Sequence, residues 1–188
     1  MNKLFISPAE LQIDAVLLGK AVMRDGWQPT HMAALWRGGA PLGIQVHEIL
    51  EQKYGTRSVK HIPVLTSRYT APGEAKATVD VHGLEYLFDR LTQTSRLLIL
   101  DDVYESGRSV DAVIKELEKK LVPLERMPLD VRVAVDYYKP TRNETDRIPH
   151  YYVHTTDRWI VFPHETHGLT REEIAENRGE AMAALVFN

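Results

Sequence analysis

The chain has 188 residues, 44% hydrophobic and 26% charged, proportions ordinary for one domain with a sizeable core. Its formal net charge of -3, from 23 basic and 26 acidic residues, argues against a general nucleic-acid binder. The absence of cysteine excludes a disulfide framework, a thiol nucleophile and a thiolate metal site, and no stretch approaches the roughly 18 apolar residues that span a bilayer. The opening MNKLFISPAEL turns polar too soon for a signal peptide, so a cytoplasmic protein without nucleic-acid or membrane partners is expected.

Ser7-Pro8-Ala9-Glu10 reads as a helix start, with a capping serine, proline at the first helical position and Glu10 where a capping box needs an acid. That helix runs to Gly26. Met32 to Trp36 is a short apolar strand, broken by the RGGAPLG run at 37–43. A second helix follows through Ile44, His47, Leu50 and Tyr54 to Gly55, and Val59 to Leu65 is the next strand. From Thr66 to Val81 the pattern dissolves around Pro72-Gly73, which predicts a loop or flap.

Gly83 to Leu91 reads as a short helix, then Leu97 to Asp102 as a buried strand. Val110, Val113, Ile114, Leu117 and Leu121 recur at core spacing on the helix that follows, and Pro123 ends it. Val131 to Tyr138, His150 to His154 and Trp159 to Phe162 are further strand candidates. Thr170-Arg171-Glu172-Glu173 is a second capping box, opening a C-terminal helix through Met182 and Leu185. Strands alternating with helices predict an α/β fold: a doubly wound, mostly parallel sheet flanked by helices, with ligands bound at the strands' carboxyl ends.

The most informative stretch is Leu97 to Val110, LLILDDVYESGRSV. A buried strand here ends in acids and hydroxyls and hands over to a helix, a favoured place for a phosphorylated ligand. Ser106, Gly107 and Ser109 can cradle an anion: glycine permits the tight turn, and the amides, hydroxyls and helix N-terminus supply donors. Arg108 either adds charge or faces water. Asp101 and Asp102 would repel a bare phosphate, so sugar hydroxyls or hydrated magnesium are their natural partners. Glu105 stands between the two functions. The same residues also fit a plain strand end with an ordinary Ser-Gly turn. A Walker-type loop fits poorly, since the glycine-rich run and its lysine are missing.

This segment resembles the phosphoribosyl-diphosphate signature of the type I phosphoribosyltransferases: apolar strand, two acids, two spacers, an acid, then hydroxyl-Gly-x-hydroxyl. Trp36-Arg37-Gly38-Gly39 resembles the family's diphosphate-contacting loop. Tyr138-Lys139-Pro140, with Asp157 to Pro163 downstream, resembles the purine-salvage branch that acts on hypoxanthine, guanine or xanthine. The resemblance extends from about Met32 to Glu165.

It implies a single domain over 1–188, a flexible catalytic loop at about 66–81 and a small hood mainly at about 138–170 with an N-terminal contribution. It further implies that Asp101 and Asp102 hold the ribose hydroxyls, directly or through Mg2+, and that Ser106, Gly107, Arg108 and Ser109 grip the 5'-phosphate. Glu105 faces the purine imidazole nitrogen as base, while Arg37 and Gly38 meet the diphosphate. Ser67, Arg68 and Tyr69 open the mobile loop, and which hydroxyl covers the diphosphate stays open. Lys139 donates to the exocyclic oxygen of the base, and Trp159, with Ile160 beside it, stacks on the ring. Two departures stand out: the family's base position is most often aspartate, and Ser106 and Ser109 replace its commoner threonines. Both keep the required atoms.

The implied reaction displaces diphosphate from carbon 1 of phosphoribosyl diphosphate by a purine nitrogen, and the family resemblance implies a homodimer or higher homo-oligomer. A lysine donor suits an oxopurine better than adenine, whose amine wants an acceptor. Pyrimidine or mixed specificity and a non-catalytic sensor of phosphoribosyl diphosphate are the alternatives. Among the eight histidines, His150 with His154 and His164 with His167 have ligand-like spacing, but the sequence offers no carboxylate that completes either set.

Overall fold

In the computed structural model, which describes residues 3–69, 78–128 and 130–187, the apolar runs become strands and the amphipathic stretches helices. The strands are β1 (Lys3–Phe5), β2 (His31–Trp36), β3 (Lys60–Tyr69), β4 (Thr78–His82), β5 (Arg96–Tyr104), β6 (Asp130–Tyr138), β7 (Tyr151–Thr155) and β8 (Trp159–Val161). The α-helices are α1 (Pro8–Arg24), α2 (Gly39–Tyr54), α3 (Glu85–Phe88), α4 (Arg108–Leu121), α5 (Arg171–Arg178) and α6 (Glu180–Phe187). The chain divides into two compact units, residues 14–157 and residues 1–13 with 158–188.

The larger unit is built on a six-stranded sheet in the order β4-β3-β2-β5-β6-β7, parallel except for the antiparallel β3–β4 pair. This is the expected α/β fold with a mostly parallel sheet. β2 and β5 are central, and Met32 to Leu35 and Leu97 to Leu100 are buried, which is why both read as unbroken apolar runs. On α4 the five apolar positions at helical spacing are all buried, each contributing about 1.5–3 kcal/mol by leaving water. Parallel strands with helical crossovers put the ends of β2, β5 and β6 along one edge.

In the smaller unit β1 and β8 form a parallel two-stranded sheet. The Thr170 box opens α5: the Thr170 hydroxyl accepts from the Glu173 amide at 3.2 Å, and the Glu173 carboxylate accepts from the Thr170 amide at 3.0 Å. Ser7 and Glu10 form the same reciprocal pair, at 3.2 and 2.7 Å.

Several expected boundaries move. The loop expected over 66–81 is in part a hairpin, with Thr66 pairing Val81 and Ser67 pairing Asp80; residues 70–77, which include Pro72-Gly73, lie outside the described residues. The missed signal is the two-residue alternation of Val79 and Val81 with Asp80 and His82. α2 begins at Gly39 rather than after the 37–43 run, because proline is tolerated in a helix's first turn, where its missing amide has no intrahelical partner. The helix expected over 83–91 shrinks to one turn. The C-terminal helix is two helices separated at Gly179. β1 escapes sequence reading because three half-buried residues carry no period.

Candidate active site

The acids at the end of β5 are held from two directions. Asp101 accepts the Asp102 amide at 3.0 Å, and Asp102 accepts the Val103 amide at 2.8 Å, so backbone donors orient both half-buried carboxylates. From the neighbouring strand comes the turn after β2, where the Trp36–Arg37 peptide bond is cis and Arg37 is exposed. Gly38 packs so closely that a Cβ there would lie 1.8 Å from Asp102 Oδ2, and a Cβ on Gly39 would lie 2.5 Å from the Leu100 carbonyl oxygen. Only glycine lets this turn approach the two aspartates.

Past β5 the chain turns through Glu105 and Ser106 into Gly107, which caps α4 in the left-handed region at φ 75°. A side chain there would also strike the Tyr104 hydroxyl, 2.5 Å from the ideal Cβ position. That hydroxyl is fixed by Thr145 Oγ1 at 3.0 Å and donates to the Arg147 carbonyl at 3.1 Å. Arg108, which the sequence left between binding and solvent, is ion-paired with Glu144. Lys139, at the end of β6, is buried, and its Nζ lies 3.5 Å from Glu105 Oε2. The fold thus brings Arg37, Gly38, the Asp101–Asp102 pair, the Glu105–Ser109 turn and Lys139 to the carboxyl ends of three adjacent strands, β2, β5 and β6.

A further acid, Asp136, was passed over by the sequence reading. It lies on β6, alongside the β5 acids, fully buried and, among the described residues, with no hydrogen-bond partner for either carboxylate oxygen. Burial pushes its carboxyl up to about 8, and the negative charges of Asp14 and Asp102 add to the shift. Donor atoms of Asp14, Asp136 and His154 lie within 4.8 Å of one another, a group that could hold a metal ion. The sequence reading found no carboxylate to complete a set with His154; the fold supplies two, from α1 and β6. The available signal was a single acid inside the apolar run Val133 to Tyr138.

The phosphoribosyl transferase domain family matches residues 2–169. The chain belongs to that family. It is therefore a phosphoribosyltransferase, and the signature at Leu97 to Val110 lies inside the matched region. No curated protein matches it in sequence. Among solved structures it resembles a purine phosphoribosyltransferase from Pyrococcus horikoshii (TM-score 0.69, 21% identity, 90% of this chain and 99% of that one). It also resembles a Neisseria gonorrhoeae protein with bound ppGpp (0.66, 21%, 97% of each chain). A third is the Helicobacter pylori xanthine-guanine-hypoxanthine phosphoribosyltransferase (0.62, 18%, 86% and 92%). At these identities the likeness is one of fold.

In this phosphoribosyltransferase the other expected residues fall as follows. Ser67 lies exposed on β3; Arg68 and Tyr69 end that strand, and their side chains lie outside the described residues. In the smaller unit Trp159 is 55% exposed while Ile160 beside it is buried. Trp159 borders a cavity of about 380 Å3 with Lys3, Glu165 and His167. At that exposure the indole is not packed into the core. Among the described residues no helix is long and apolar enough to cross a membrane.

Proposed function

We propose that the protein transfers the 5-phosphoribosyl group from phosphoribosyl diphosphate to a 6-oxopurine, hypoxanthine, guanine or xanthine. The bond from carbon 1 to the diphosphate oxygen breaks, a bond from carbon 1 to a purine ring nitrogen forms, and the proton of the purine imidazole ring passes to Glu105. The observation that carries the reading is Lys139: a buried ammonium beside Glu105, next to the phosphate turn, with three donors and no acceptor. Such a group recognises an exocyclic oxygen and leaves the adenine amine facing a buried donor, a strong penalty.

Each remaining residue has a part. The Ser106 and Ser109 hydroxyls, with the amides opening α4, suit the 5'-phosphate, and the left-handed Gly107 aims those amides. Asp101 and Asp102, acceptors at a strand end, suit the ribose hydroxyls. Their hard oxygen donors also fit magnesium, whose positive charge would offset the negative charge of the departing diphosphate. Arg37, exposed after β2, supplies fixed charge to the same leaving group, and Gly38 brings the chain close enough for the diphosphate to be reached. Ser67, Arg68 and Tyr69 cover the diphosphate and exclude water. Trp159 offers a stacking face to the base, supported by its exposure, and Ile160 anchors its strand. The protein works in the cytoplasm as a homo-oligomer.

The test is diphosphate release from phosphoribosyl diphosphate and Mg2+ with hypoxanthine, guanine, xanthine, adenine, uracil or orotate in turn. Turnover with at least one 6-oxopurine, and none with adenine, is the expected result. Turnover with uracil or orotate alone sinks the purine assignment, and turnover with none sinks catalysis.

A further inference from the structure

The acid beneath the catalytic edge raises a question that phosphoribosyl transfer does not answer. Asp136 is fully buried, yet both its carboxylate oxygens lack a hydrogen-bond partner among the described residues. A buried carboxylate in that condition is relieved by a proton or by a cation, because an uncompensated charge is too costly to keep. A proton would satisfy Asp136 alone. It leaves unexplained why two further ligand-type side chains converge on the same point.

They come from separate elements: Asp14 from α1 and His154 from β7. The Asp14 side chain is 8% exposed, and its Oδ2 lies 3.0 Å from His154 Nε2. The His154 ring stacks on Tyr137 with centroids 4.8 Å apart, which holds the imidazole in place. His154 is the half-exposed member, so an ion can enter from its side without unfolding the strand ends.

We propose that Asp14, Asp136 and His154 bind a divalent transition-metal ion of the zinc type, at a site separate from the Asp101–Asp102 pair. Donor chemistry selects the ion. An imidazole nitrogen with two carboxylates suits zinc, whereas magnesium and calcium favour all-oxygen shells. Three protein ligands leave a fourth, tetrahedral position for water. Bonds of about 2.0–2.2 Å need donors about 3–4 Å apart. The donor atoms lie within 4.8 Å of one another, and binding would draw them to that spacing. The ion would take the place of the proton on Asp136 and would tie α1, β6 and β7 together beside the active site.

The experiment uses the full chain, stripped with a chelator and titrated with Zn2+ in excess Mg2+, with bound zinc measured by elemental analysis and calorimetry. About one Zn2+ per chain is expected. Asp136→Asn and His154→Gln should each weaken binding by about 100-fold or more. The double variant Asp101→Asn, Asp102→Asn should bind Zn2+ as the unaltered chain does. Should Asp136→Asn fail to fold, His154→Gln, at a half-exposed position, decides. Absence of stoichiometric binding, binding that survives either single variant in a folded chain, or loss in the Asp101–Asp102 variant overturns the proposal. None of these readouts depends on turnover, so failure of the oxopurine reading leaves the test intact.

Discussion

Two neighbouring strands of one sheet end in aspartates, and the sheet treats them in opposite ways. At the end of β5, Asp101 and Asp102 are half-buried, and backbone amides donate to both. One strand over, Asp136 on β6 is fully buried, with no donor to it among the described residues. Backbone donors orient the first pair; burial and like charge push the second toward its neutral form. Residue type therefore does not assign a role to an acid. The partners that the fold supplies do.

The largest effect expected is on the β5 side. Replacing Asp101 and Asp102 together with asparagine should lower kcat/KM by about 1000-fold, with the urea midpoint nearly unchanged. A comparable loss of stability would show that these acids are structural and erase the contrast. Glu105→Gln should lower kcat by about 100-fold while affinity for phosphoribosyl diphosphate holds. Equal losses in both would make Glu105 a binding group only.

Gly38→Ala tests the approach between the strands. Its methyl would collide with the Asp102 carboxylate, and displacing that group should cost about 100-fold in kcat/KM. Unchanged kinetics would mean the turn can shift without disturbing the acids.

The smallest effect on turnover is expected for Asp136→Asn, which should act on pH dependence instead. The folded protein holds the Asp136 proton up to about pH 8, whereas the unfolded chain releases it near 3.8. Between those values the folded state binds more protons, so this contribution to stability is complete below about 4 and is lost as pH rises toward 8. In chelator-treated protein, the asparagine variant should lose that downward slope in urea denaturation. A variant curve parallel to the original would remove the distinction between the two strand ends.

Much of the larger unit was legible because its core strands and helices carry strong periods. β2 and β5 read as apolar runs since parallel strands are covered on both faces, and α4 shows its buried stripe directly. The hairpin of β3 with β4 was hidden under polar residues at a sheet edge, where one side faces solvent and the pattern weakens. Both capping boxes were readable because each is a local bargain between residues three apart.

The site divides along the same line. By itself the sequence determined the α/β order, both capping boxes and the acid–acid–spacer–acid–hydroxyl turn from Asp101 to Ser109, because periodicity, capping and turn chemistry act over a few neighbouring residues. Tertiary structure alone decided that Gly38 must be glycine, that Lys139 lies against Glu105, and that Asp14 and His154 gather round Asp136. Those are meetings of residues far apart in the chain, and no local pattern records them, because a side chain's charge and hydrogen bonding are set by whatever the fold packs beside it.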